Sequence, residues 1–395
     1  MKVQNVVILV VVTNIISISS TFLIMKSMPV QQQLNQKETV TAEKDAPALS
    51  QPSAVAQPAM DVNQLLALFN IRKEDNQKKT MEMFKKVMLD TPPYIGTGTK
   101  GYPYALQGDF QKALQITQNE INANSRSVES RYTLAWIYAK TGDYDGAIEA
   151  CSNALMLGAE FNKMRYIMGW VYAKQGKYED ALKTCEDALS VDPYSALFYY
   201  GKGRIQDLFG HNEQAVESYL KAISLKSDFY DAYVFLGVLY TELSRYDDAI
   251  KAQKQAISID KFGQAGYIAL GLVYDKTDNY QEALTQFSDA LRFVYYNRDP
   301  DPQNQPLTVK IGIDDAIIYN RIGVLNAMLG SYEDALTAFN KAIKARLDYP
   351  EAYRGLVLTY LLLNDRTSAF KNYEKLKSLD KDLADSVAIV VGEGK

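Results

Sequence analysis

Apolar and polar positions between residues 94 and 383 repeat together with a fixed period. Alanines fall 34 residues apart at Ala113, Ala147, Ala181, Ala215, Ala249 and Ala283, and after a shift of 18 residues the phase resumes at Ala335 and Ala369. A second small residue follows seven positions later at Ala154, Ala188, Ala222, Ala256, Ala290 and Ala342. Seven residues are close to two helical turns, so both alanines lie on one helix face and let a neighbouring helix approach closely. An equivalent small position precedes them at Gly101, Ala135, Gly169, Gly203, Gly237, Gly271 and Gly323, with Val357 in the last unit. The pattern predicts eight helical hairpins, numbered here unit 1 (94–127), unit 2 (128–161), unit 3 (162–195), unit 4 (196–229), unit 5 (230–263), unit 6 (264–297), unit 7 (316–349) and unit 8 (350–383).

Between the two helices of a unit stand Gly142, Gly176, Gly210 and Gly330, or Ser244, Asp278 and Asn364. Gly and Asn at such positions suit a left-handed helix end. An aromatic residue then precedes the first alanine by one turn (Phe110, Tyr144, Tyr178, Tyr246, Tyr280, Tyr332). With Leu-Ala-Trp-Ile-Tyr at 134–138, Tyr-Asp-Gly-Ala at 144–147 and the closing Asp192-Pro193, this 34-residue period resembles the tetratricopeptide repeat. The resemblance implies an all-α fold, a right-handed superhelical solenoid of antiparallel hairpins whose first helices line a concave groove for other chains. Departures are local: Pro103 falls inside the expected first helix of unit 1, His211-Asn212 replaces the turn aromatic of unit 4, and Arg366 does so in unit 8.

The remaining chain reads differently. Residues 3–25 carry no charge and are long enough to cross a ~30 Å hydrocarbon layer, so 1–26 is expected to be an uncleaved, single-pass transmembrane signal-anchor. The short tail is placed inside and the repeat domain outside the cytoplasm. Residues 27–60, rich in Gln, Ala, Ser and Pro, read as a disordered linker. Residues 61–93 read as an amphipathic helical segment, either capping the open end of the array or serving self-association or membrane contact. Residues 298–315 form an insertion with Pro300, Pro302 and Pro306, and 384–395 a C-terminal tail.

Composition narrows the chemistry. One histidine, His211, leaves no multi-histidine metal site and no triad without it, and two cysteines exclude a four-cysteine zinc site. Cys151 and Cys185 stand one unit apart where Tyr219, Phe287, Phe339 and Tyr373 stand elsewhere, so they read as core thiols too distant for a disulfide. A net charge of −4 without basic blocks argues against nucleic acid. No phosphate loop, metal spacing or nucleophile motif appears, so no enzyme activity and no cofactor are expected.

The columns that the resemblance assigns to the groove change along the array. One runs Tyr132, Tyr166, Tyr200, Val234, Ile268, Asn320, Arg354, and a neighbour runs Trp136, Trp170, Arg204, Val238, Leu272, Val324, Leu358. Rings with Lys140, Lys163, Lys174 and Arg204 nearby mark units 2–4 as the ligand surface, suited to an extended apolar peptide or protein partner. The opposing reading packs these same rings between neighbouring helices. The aliphatic later columns form a patch that a bound protein, a second copy or the 298–315 insertion must cover. A membrane-tethered interaction scaffold is the leading reading; a self-assembling structural protein and a glycan-binding module stacking sugars on the tyrosines are its rivals.

Overall fold

The computed structural model describes residues 61–70, 73–90, 99–157, 161–293 and 315–393. The anchor segment 1–26, the linker 27–60 and nearly all of the 298–315 insertion lie outside the described residues. Among the described residues there is no strand, and no helix is long and apolar enough to cross a membrane.

Eight hairpins follow one another in the predicted phase. Unit 1 holds α3 (Tyr102–Leu106) and α4 (Phe110–Ala123); unit 2, α5 (Val128–Thr141) and α6 (Tyr144–Met156); unit 3, α7 (Phe161–Lys174) and α8 (Tyr178–Val191). Unit 4 holds α9 (Ala196–Leu208) and α10 (Asn212–Leu225); unit 5, α11 (Tyr230–Glu242) and α12 (Tyr246–Ile259); unit 6, α13 (Gln264–Lys276) and α14 (Tyr280–Phe293). Unit 7 holds α15 (Asp315–Met328) and α16 (Tyr332–Ala345), and unit 8, α17 (Pro350–Leu362) and α18 (Arg366–Leu379). Before them come α1 (Val62–Asn70) and α2 (Lys73–Asp90), and after them α19 (Lys381–Asp385) and α20 (Ala388–Val391).

Turn chemistry decides where the helices stop. Gly142, Gly176, Gly210 and Gly330 adopt positive φ, and so do Ser244, Asp278 and Asn364 at φ near 60°. The left-handed turn is therefore a property of the hairpin, imposed on three residues that pay steric strain for it. Asp143 and Asp365 cap the helices that follow, accepting hydrogen bonds from the amides of Gly146 and Ser368. Pro103 lies in the first turn of α3, where its missing N–H costs nothing, and that helix is only five residues long.

In units 4, 6 and 7 an aromatic second-helix side chain lies against a first-helix glycine. A Cβ added at Gly203 would come within 2.8 Å of the Tyr219 ring, and one at Gly271 within 3.0 Å of the Phe287 ring. Cys151 and Cys185 occupy the same column in units 2 and 3 as buried free thiols, and burial pushes both up to about 12. Successive first helices also pack directly on one another, whereas second helices meet the next unit chiefly through its first helix. The first helices thus form the inner face of the solenoid. Its C-terminal end is closed by α19, which buries Leu383 and Ala384, and by the buried Val387 that follows, so the stretch read as a tail from 384 begins as part of the array.

Candidate protein-binding groove

The tyrosines of the first helices point between neighbouring units. Tyr132, Tyr166 and Tyr200 are all buried, and the Tyr166 and Tyr200 rings stack with centroids 6.3 Å apart and planes 2° from parallel. Tyr166 lies on Gly201 of the next first helix, where a Cβ would come within 2.9 Å of the ring. Burial pushes the phenols of all three above the ordinary tyrosine range, so they act as neutral hydroxyls. Arg204 is buried beside them: its Nη1 donates to Tyr166 Oη at 2.6 Å, and its guanidinium lies 5.2 Å from the Phe235 ring centre.

Tyr166, Trp170, Lys174 and Arg204 meet around one shallow recess between α7 and α9, floored by Cys185 and Gly201. Trp170 and Lys174 are half-buried, with the ammonium 5.8 Å from the indole centre. Trp136 is buried in a cluster with Tyr102, its ring centroid 5.4 Å away, against which Trp170 also packs, and Lys140 is half-buried on the same helix. Lys163 stands near the start of α7, with its side chain outside the described residues.

The aliphatic columns of the later units have an occupant among the described residues. They are covered by α1 and α2. Met81 and Phe84 share one core with Val238, Ile268, Leu272 and Ile318, while Leu65 and Phe69 join the core of units 7 and 8. Phe69 stacks on Phe339 at 6.5 Å, and Arg354 donates to the carbonyl of Leu68. Further along, Gln77 Nε2 donates to the carbonyl oxygen of Asp275 at 3.0 Å. Lys85 Nζ then lies 2.6 Å from Asp207 Oδ1 and 2.7 Å from Glu242 Oε2. Helices α1 and α2 therefore lie along the inner face, from units 7 and 8 back to unit 4. They do not cap an end of the array, because their apolar side chains match the aliphatic columns of the first helices.

Matches to known proteins agree with this architecture. One tetratricopeptide-repeat family model matches residues 128–157 and 230–262, and a second matches 166–227 and 320–382. The matched repeats are tetratricopeptide repeats. Among solved structures, the APC/C hetero-tetramer Cut9-Hcn1 matches with a TM-score of 0.50 and 17% identity, over 72% of this chain and 53% of that one. The chain thus spans about half the length of that relative. Yeast Tom70 matches with a TM-score of 0.50 and 15% identity, over 82% of this chain and 72% of that one. At these identities the likeness is one of fold. No curated protein matches the sequence. Tetratricopeptide-repeat proteins generally mediate protein–protein interactions, and the fold is typically a non-catalytic scaffold. Among the described residues no group of three or more His, Cys, Asp or Glu side chains could hold a metal.

Asp207 and Glu242, which hold Lys85, were not legible as site residues. The signal for Asp207 was a charge, repeated at Asp275, in a tetratricopeptide column that otherwise runs Ala139, Ala173, Thr241, Ala327 and Leu361. Burial pushes the Asp207 carboxyl up to about 6, although Lys85 pulls the other way and Glu242 adds to the rise. The folded chain therefore holds an extra proton between the ordinary carboxylate range and about pH 6. Stability from this group is present at low pH and is lost as pH rises through about 6. Asp207→Asn is expected to raise the thermal midpoint of the array at pH 8, on the order of 3 kcal/mol from the size of the shift. The gap should shrink to about half at pH 5 and close below the ordinary carboxylate range. Melts of both proteins at the two pH values read it directly, and a gap independent of pH refutes the assignment.

Proposed function

We propose that this protein is a membrane-tethered scaffold whose repeat array captures a partner protein through the inner face of units 2–4. The observation that carries this reading is the seating of residues 62–90 along the same face farther down the array, since a surface that takes one protein segment is built for such segments. The recess of Tyr166, Trp170, Lys174 and Arg204 supplies an apolar wall with cations at its rim, a surface suited to an extended apolar peptide. Residues 3–25 would hold the array at a membrane, with the repeats on the extracytoplasmic side and the 27–60 linker as spacer.

Tyr166 and Arg204 belong to the core, so the test uses the half-buried pair. Cross-linked capture from intact membranes should lose its principal partner, by about ten-fold or more, when Trp170 and Lys174 are both replaced by alanine. Because Trp170 also packs against the neighbouring cores, Lys174→Glu alone serves as the second variant, and it should weaken capture with the thermal midpoint held. An unchanged set of captured proteins would refute the placement of the site.

A further inference from the structure

Residues 62–90 are seated by chemistry that is more specific than a structural strap requires. Along α2 the anchors come in a set order: Gln77 on the Asp275 carbonyl, then Met81 and Phe84 one turn apart in the apolar seat, then Lys85 between two carboxylates. The outer face carries exposed Lys78, Lys79, Glu82 and Lys86. We propose that the inner groove of units 4–8 is a receptor site for an amphipathic helix of another protein, and that residues 62–90 occupy it in cis as a stand-in which that helix displaces.

Charge complementarity defines the ligand. The Asp207 side chain is fully buried, and besides Lys85 it accepts one long hydrogen bond, from Tyr219 Oη at 3.5 Å. Without Lys85 the groove keeps two neighbouring carboxylates, Asp207 and Glu242, with no cation between them to offset their repulsion. The occupant must therefore bring a Lys or Arg directly after an apolar pair spaced three residues apart, and an amide side chain one turn before that pair adds a hydrogen bond.

The resident helices fit this site incompletely. Among the described side chains of α1 and α2, only Leu65, Phe69, Met81 and Phe84 are buried apolar groups, whereas α11 alone buries Val234, Phe235, Leu236, Val238 and Leu239. A small void also remains between Met83 and Phe84 on α2 and Ile268, Ile317 and Ile318 on the array, where apolar contacts are forfeited. The described side chains of α1 and α2 thus bury less apolar surface than the first helices of the array, and elements of lower local stability are the ones that open.

The probe is a fluorescent synthetic peptide of residues 61–90, titrated into the full chain. Met81→Asp with Phe84→Asp, which unseats the resident helix, should tighten probe binding by about ten-fold or more. Adding Asp207→Asn and Glu242→Gln should reverse that gain, and a probe carrying Lys85→Glu should fail to compete. Hydrogen exchange on the unaltered chain gives a reading free of folding defects: amides of 62–90 should exchange about ten-fold or more ahead of those in α13 and α15. Equal protection, or probe binding indifferent to Asp207 and Glu242, overturns the proposal. So does a stable dimer that exchanges 62–90 between copies, since a second copy would then be the occupant. The proposal rests on the protein-binding reading of the array, yet the two fail separately: Trp170 lies in unit 3, outside this seat, so partner capture there can be lost while probe exchange persists.

Discussion

Asp275→Ala should cost about 3–5 kcal/mol, because it strands a buried guanidinium. Asp275 in unit 6 and Arg321 in unit 7 form an ion pair in which both side chains are almost wholly inaccessible to water. Removing the acid leaves Arg321 desolvated with nothing to offset its charge, whereas replacing both partners with apolar residues removes the problem along with the pair. Asp275→Leu combined with Arg321→Met is therefore expected to recover most of the loss. The location adds a second effect. Units of a solenoid are stabilised chiefly by their neighbours, and this pair ties the units on either side of the insertion. Urea unfolding followed by circular dichroism should split into two transitions in the single variant, with units 7 and 8 melting first. One transition with an unshifted midpoint would show that the ion pair does not hold the junction.

Phe339→Ala is expected to destabilise the C-terminal units by about 3–5 kcal/mol, the range for truncating a fully buried aromatic. The ring is inaccessible to water and gripped from two sides: a Cβ at Gly323 would come within 2.6 Å of it and one at Gly355 within 2.3 Å. It also supports Phe69, so the truncation should release α1 from units 7 and 8. The close fit predicts a change of sign in a double-mutant cycle. Gly355→Ala alone should destabilise by about 1–3 kcal/mol through overpacking. In the Phe339→Ala background the same change should stabilise, because the added methyl enters the cavity. Additive effects of the two substitutions would mean that the ring and the glycine do not share one packing site.

The period was legible because every unit solves the same packing problem with the same small residues. Ala147, Ala181 and Ala215 are fully buried, and the Gly203–Tyr219 and Gly323–Phe339 contacts show why small and large columns alternate between first and second helices. The left-handed turns were legible even where Ser244 or Asp278 replaces glycine, since phase alone fixes them. The direction of the tyrosine column was not. Whether Tyr166 faces the groove or the next unit depends on a modest rotation of one first helix against another, and period carries no record of that angle. The occupant of the later groove was hidden for another reason. In α2 the apolar residues Met81 and Phe84 are sparse among lysines and glutamates, and their partners lie far away in sequence.

That separation has a consequence for synthesis. Lys85 meets Glu242 across 157 residues, Gln77 meets Asp275 across 198, and the Leu68 carbonyl meets Arg354 across 286. A ribosome adding about 5–20 residues per second needs roughly 15–60 s between making Leu68 and making its last partner. The helices that emerge first are thus the last to find their place, after the units that receive them have already stacked. For that interval the nascent chain presents Leu65, Phe69, Met81 and Phe84 to whatever chaperone or membrane surface stands nearby.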